Sequence, residues 1–187
     1  VGQILTMLGI GGSLAFGAIV VAKGETLFAR KMLSAPIILR GLGDLIGALA
    51  FVSAIVLTPL SSASAILQAT PLAVTLGAAI FLGEPVGWRR WSAIFVGLTG
   101  VLLIIRPGLD SFEALSLLAV IAVLALALRD LATRRTPAIF STMQLSFLGF
   151  IAIVPAGLLL MFFTGSAFVR LDTTQWLYII AALSVGL

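Results

Sequence analysis

Long apolar runs, separated by short connections that carry nearly all the charge, constrain this chain more than any other feature. Cut at charges, prolines and Gly/Ser clusters, the runs cover residues 3–22, 41–57, 62–82, 88–105, 112–128, 138–163 and 176–187. A helix needs about 20 apolar residues to cross the hydrocarbon of a bilayer, and with its loop uses about 26. On that figure 187 residues give about seven crossings. Composition agrees. The chain is 61% hydrophobic and only 10% charged, with a mean hydropathy of +1.25, whereas a soluble domain carries about 25% charged residues to wet its surface. The expected fold is all-α, a polytopic transmembrane helix bundle with six complete helices. The run at 138–163 is long enough to span with tilt or with a kink at Pro155. The run at 176–187 is too short to span, and the first run opens the chain with no Met. The seventh helix is therefore expected to be truncated, and the sequence to be a piece of a longer protein.

Cysteine and histidine are both absent. That excludes disulfides, thiol nucleophiles, His-based triads and ordinary zinc sites within this chain, and no metal or cofactor is expected. An intramembrane serine protease needs a Ser–His pair, and an aspartyl one needs two membrane acids; only Asp44 lies well inside an apolar run. The net charge of +4 does not point to nucleic acid, because the basic residues form no stripe. They follow the positive-inside rule instead. Lys23, Arg30, Lys31, Arg40, Arg89, Arg90, Arg129, Arg134 and Arg135 lie in connections on one side, and only Arg106 and Arg170 on the other. Nine against two accounts for all eleven Lys and Arg. The loops at Arg30, Arg89 and Arg134 are thus expected in the cytoplasm, and those at Ser61, Asp110 and Asp172 outside. Trp88, Trp91, Trp176 and Tyr178 lie near run ends, where amphipathic rings prefer the interface.

Lipid gives helices no hydrophobic reason to associate, so small residues that permit close backbone approach mark the contacts. Gly9, Ser13 and Gly17 recur every four residues, as do Ala93 and Gly97, and alanines crowd residues 119–127. Polar residues inside the runs are the candidates for function. Ser61, Ser64, Gln68 and Thr75 fall within about 60° of one another on a helix, with Pro71 at the edge of the stripe. Such a seam faces a neighbouring helix or a water-filled cavity rather than lipid. Gln144 shares a side with Ser141 and Pro155. Asp44 follows Arg40 by four residues, so it is either an intramembrane functional acid or half of an interfacial ion pair. Ser64, Gln68, Pro71, Thr75, Asp44 and Gln144 are the expected lining of a solute path. Pro71 removes a backbone hydrogen bond and is expected to free a carbonyl. If transport is proton-driven, Asp44 is the acid available in this stretch. Residues 83–91 form an expected rigid inner hairpin, a gate or a well-anchored turn, in which Glu84 and Arg89 or Arg90 sit within a few residues, Pro85 fixes the path, and Trp88 and Trp91 anchor it. Arg129 and Asp130 are expected as a gate or pore-mouth pair, or as headgroup-directed side chains.

Residues 62–108 read SASAILQATPLAVTLGAAIFLGEPVGWRRWSAIFVGLTGVLLIIRPG. This segment resembles the EamA-type repeat of the drug/metabolite transporter superfamily. The likeness rests on the small/polar entry to a helix with a central Pro71, on Leu82-Gly83-Glu84, on Gly87-Trp88-Arg89-Arg90-Trp91, and on the Gly-rich helix closing with Arg106-Pro107-Gly108. Arg40-Gly41 opening the preceding helix extends it to about residues 40–108. The resemblance implies ten helices built as two inverted five-helix repeats. Residues 1–108 would be the first repeat without its first helix, and 109–187 the truncated start of the second. Gln3-Ile4-Leu5 with Gly9 is faintly echoed by Gln144-Leu145-Ser146 with Gly149, as duplication would require. Further implied are secondary transport or efflux of small metabolites, amino-acid-like or drug-like, by alternating access, and a bacterial inner membrane. No Gly-x4-Gly-Lys-Ser/Thr loop is present, so no ATP site is expected. A non-transporting membrane subunit or scaffold is the alternative, separable by solute flux.

Overall fold

The computed structural model describes residues 1–28, 30–106 and 114–186. Among the described residues, eight α-helices follow the apolar runs: α1 (Gly2–Ala22), α2 (Ala35–Leu57), α3 (Leu60–Leu67), α4 (Thr70–Phe81), α5 (Trp88–Ile105), α6 (Leu117–Arg134), α7 (Thr142–Thr164) and α8 (Thr173–Gly186). Short 3-10 turns precede α2 (Arg30–Leu33) and α6 (Ala114–Ser116). Among the described residues, six stretches are long and apolar enough to cross a membrane, with α3 and α4 forming one of them, Leu60–Phe81. Two expectations meet the structure with a change. The third run is two helices rather than one, and α2 begins at Ala35, several residues before the expected start at 41. The expected external turn at Asp110, the start of the fifth run at Phe112, and Pro107 and Gly108 of the closing motif lie outside the described residues.

The chain divides into two units. One takes both ends of the chain, Val1–Leu45 with Thr136–Leu187; the other is the middle, Ile46–Arg135. Helix α2 contributes to both, and the repeat division expected at residue 108 falls inside the middle unit.

In the unit made of the chain ends, α1 packs along α7 and also meets α8. Glycine makes the α1–α7 contact close. A Cβ on Gly2 would meet Met161, one on Gly9 would meet Val154, one on Gly12 would meet Phe150, and one on Gly17 would meet Phe147. As α1 advances, its partners descend in number, so the two helices run antiparallel. Gly12 rather than Ser13 joins Gly9 and Gly17 on the buried face, because the stripe follows the helical period of 3.6 and not a strict four. Ser13 turns its hydroxyl back to the Ile10 carbonyl. Phe16 stacks on Phe150 at 5.5 Å between ring centres. In lipid this association rests on van der Waals contact, and the glycines allow many such contacts at once.

In the middle unit, α6 carries the centre. Ala119 and Val123 of α6 meet Ala63 and Ile66 of α3, Ala54 of α2 and Ile105 of α5 in one apolar cluster. Gly77 lets α4 approach Leu131 of α6, and Gly97 of α5 seats Leu72 of α4. The alanine-rich stretch at 119–127 thus forms a contact face, as small residues on a membrane helix should.

Candidate functional site

The break between α3 and α4 is chemical in origin. Pro71 has no N–H to give to the Leu67 carbonyl, and its ring crowds the preceding turn. The Thr70 hydroxyl takes that carbonyl instead, at 2.6 Å. The Ala69 N–H reaches back three residues to Ile66 and the Leu72 N–H three residues to Ala69, so the chain tightens into 3-10 geometry across Gln68 and Ala69. Thus the carbonyl freed by Pro71, expected to be open to solute, is held by a neighbouring side chain.

The break also decides what each face of this span presents. Ala63, Ile66, Ala69, Val74 and Ala78 are buried in the middle unit, whereas Ser61, Ser64, Gln68 and Pro71 are exposed. The polar seam therefore lies on the open side of the middle unit, outside its packed interior. Thr75 is half-buried and bonds its own helix at the Pro71 carbonyl, 2.8 Å away. The stripe is thus exposed at Ser61, Ser64, Gln68 and Pro71 and half-covered at Thr75.

Asp44 and Gln144 belong to the other unit. Asp44 is only 9% exposed and receives Arg40 at 3.0 Å across one turn of α2. The pair lies against α7 at Gly149, where a Cβ would stand 3.2 Å from both Arg40 Nη1 and Asp44 Oδ2. An ion pair so withdrawn from water is a functional candidate in a membrane helix. Sequence reasoning missed Gly149 as its seat; the faint echo between Gly9 and Gly149 was the one signal.

Gln144, expected on the solute path, is a helix cap instead. Ser141 caps α7, its Oγ accepting the Gln144 N–H, while Gln144 Oε1 accepts the Ser141 N–H at 3.0 Å. This reciprocal capping box satisfies two donors that a helix start leaves orphaned. The amide nitrogen of Gln144 then donates to the Thr26 carbonyl at 2.9 Å, and the Ser141 hydroxyl donates to Glu25. Together these bonds tie the connection after α1 to the start of α7. The pattern Ser-x-x-Gln was the readable signal, and it marks a cap as plainly as a polar seam.

The inner hairpin differs in its partners. Gly83, with φ +67°, ends α4 in a left-handed turn that glycine adopts freely, and the Glu84 N–H closes on Ala78. Glu84 then faces α6 rather than Arg89 or Arg90. Arg134 Nη1 donates to both Glu84 carboxylate oxygens, at 2.7 and 3.0 Å, and Arg135 donates to the Phe81 carbonyl at the end of α4. Cations at a helix C-terminus meet its negative dipole end. Arg89 lies over the Trp88 ring, 5.7 Å from its centre, and Arg90 is exposed. Arg129 and Asp130 pair with each other at 2.8 Å and are both about a third exposed.

An apolar helix set, a span broken near its middle and a neutral polar face beside the break suit solute passage better than catalysis. The EamA-like transporter family model matches residues 3–106. The chain belongs to that family. Among curated relatives, a riboflavin transporter of Rhizobium johnstonii is 35% identical over 89 residues, covering 48% of this chain and 30% of the relative. An S-adenosylmethionine uptake transporter of Rickettsia bellii is 29% identical over 119 residues, 64% of this chain and 40% of the relative. A riboflavin transporter of Vibrio cholerae is 39% identical over 62 residues, 33% of this chain and 21% of the relative. The chain therefore matches well under half the length of each. No solved structure matches it significantly.

Proposed function

We propose that this EamA-like chain is part of a secondary transporter that moves a small polar metabolite across the bacterial inner membrane. The observation that carries the reading is the neutral polar face of Ser64, Gln68 and Pro71 at a helix break inside an apolar span. A carboxamide left in hydrocarbon costs several kcal/mol, so this face requires water or a solute. Broken helices at mid-membrane are where transporters of inverted-repeat design hold their cargo. The two repeats, residues 1–108 and the start of a second at 109–187, would rock about that path in alternating access. Ser64, Gln68, Pro71 and the adjoining Thr75 line it in this reading. Asp44, held by Arg40, is the candidate for proton coupling. On the nine-to-two charge bias, Glu84, Arg89, Arg90, Arg129 and Asp130 would lie on the cytoplasmic side in this reading. Relatives named for riboflavin and for S-adenosylmethionine uptake favour a ring-bearing metabolite and inward movement.

The test is solute flux through the full-length protein in proteoliposomes, with riboflavin, S-adenosylmethionine and a mixture of amino acids as cargo. Counterflow of any of these above empty liposomes supports transport. No flux of any of them, from protein that is folded and inserted, overturns it in favour of a non-transporting subunit.

A further inference from the structure

We propose that Gln68 sets the specificity of this transporter by pairing with a heteroaromatic ring edge that presents a hydrogen-bond donor beside an acceptor. The inference rests on the transport reading above and goes beyond it in naming the chemistry recognised. Gln68 is the C-cap of α3, exposed, at the break in the Leu60–Phe81 span. Its backbone N–H is bonded within the helix, to Ser64. Its side chain therefore faces outward from a turn whose main chain is already held, by Thr70 on the Leu67 carbonyl and by the 3-10 bonds on either side.

Charge recognition is absent from this face. Residues 60–81 contain no Asp, Glu, Lys or Arg, so the seam offers hydrogen bonds alone. Of its groups, the Ser64 and Thr75 hydroxyls are single points, and Thr75 already bonds Pro71. The carboxamide of Gln68 is different in kind. It sets an N–H donor and a C=O acceptor side by side in one plane, the geometry that pairs bidentately with an adjacent donor and acceptor on a ring. Two ring classes answer that description: an imide, with N–H next to C=O, and an aminopurine, with an exocyclic N–H next to a ring nitrogen. The flavin ring carries the first and the adenine of S-adenosylmethionine the second. A site built to pair a ring N–H rejects the analogue that lacks it, because buried polar groups are then left unpaired.

The experiment uses the full-length protein in proteoliposomes, wild type and Gln68→Leu, with thermal unfolding of both measured in detergent. The flavin arm compares riboflavin with N3-methylriboflavin; the purine arm compares S-adenosylmethionine with its N6,N6-dimethyladenine analogue. We expect one parent solute to be carried, its methylated analogue to fall at least tenfold in kcat/KM, and Gln68→Leu to lower the parent to a similar level at unchanged melting temperature. The analogue should then lose no more in Gln68→Leu, and the arm that responds identifies the ring class. Equal transport of parent and methylated analogue, or an unaffected Gln68→Leu, overturns the ring-edge assignment while transport stands. So does flux of amino acids with neither ring solute moving. A Gln68→Leu variant that loses melting temperature yet keeps its discrimination would make Gln68 an interhelical tie, which also overturns it. Absence of all flux in the wild type removes the transport reading itself.

Discussion

Gln144 and Gln68 look alike in the sequence, a carboxamide in an apolar run with a serine nearby, yet the two regions that hold them differ in every contact. At the start of α7 the amide of Gln144 is 93% buried by its residue exposure of 7%, closes a capping box and reaches the Thr26 carbonyl. At the α3–α4 break Gln68 is exposed, and the neighbouring Thr70 hydroxyl, not Gln68, holds the Leu67 carbonyl left by Pro71. The chain-end unit has committed its polar groups to holding helices together. The middle unit keeps a polar face outside its packed core. Polarity within a membrane span therefore marks function only after the backbone's own demands have been met elsewhere.

The largest effect should come from the ion pair of the committed region. Breaking a withdrawn charge pair by removing one partner costs about 3 kcal/mol or more. Asp44→Leu should lower stability by that order in detergent unfolding, and adding Arg40→Leu should recover most of the loss. Failure of the double variant to recover would mean that the pair's packing on Gly149, not its charge, holds α2 to α7. If transport by the full-length protein is proton-driven, Asp44→Asn should abolish the dependence of flux on a pH gradient and leave exchange at equal pH largely intact. An unchanged response would move the coupling to another residue or leave a facilitator with no coupling.

Next in size is the glycine contact. A Cβ on Gly157 would stand 2.3 Å from Thr6 Oγ1 and 2.6 Å from the Thr6 backbone nitrogen, and backbone cannot step aside as a flexible side chain can. Gly157→Ala should cost about 1–3 kcal/mol, the usual size of overpacking. Gly100 of α5 has nothing within 4 Å of its Cβ position. Gly100→Ala should gain about 0.5–1 kcal/mol from helix propensity. Equal effects at the two sites would deny the special closeness of α1 and α7.

The carboxamide comparison itself can be put to the same measurement. Gln144→Leu removes half of the capping box and the bond to Thr26, and should cost about 1–2 kcal/mol. Gln68→Leu should leave stability unchanged. A loss at Gln68 as large as at Gln144 would erase the distinction between the two regions.

Most of the architecture was legible because it depends on length and hydropathy alone. The six spans lie where the apolar runs lie, and Gly9 and Gly17 meet α7 as their spacing suggests. The site was less legible, for three separate reasons. The stripe runs on past the break at Gln68–Ala69, but Thr75 turns its hydroxyl back to the Pro71 carbonyl, which residue spacing alone does not show. The Ser141-x-x-Gln144 pattern fits both a seam and a cap, and only the burial of Gln144 chooses. Glu84 has arginines five and six residues away, but its partner Arg134 lies 50 residues on, and charge pairing across a fold leaves no mark in local spacing.

That last pair carries the smallest expected effect and the sharpest geometric test. Arg134 and Glu84 side chains are 47% and 45% exposed, so water and salt screen them, and an exposed ion pair contributes about 0–1 kcal/mol. Both bonds come from the single Nη1 nitrogen and not from a two-nitrogen fork, so nothing lifts this pair above that range. Glu84→Gln keeps one oxygen acceptor and should lower stability by well under 1 kcal/mol, less at high ionic strength. Glu84→Arg sets two arginines together at the end of α4, where Arg135 already meets the Phe81 carbonyl, and should cost more than Glu84→Gln. The reversed pair, Glu84→Arg with Arg134→Glu, should recover the difference if Arg134 is the partner. If Arg89 or Arg90 were the true partner, as local spacing suggests, then Glu84→Arg would be rescued by Arg89→Glu or Arg90→Glu and not by Arg134→Glu. Unfolding of these five variants at low and high salt decides between a clasp joining α4 to α6 and a turn closed on itself.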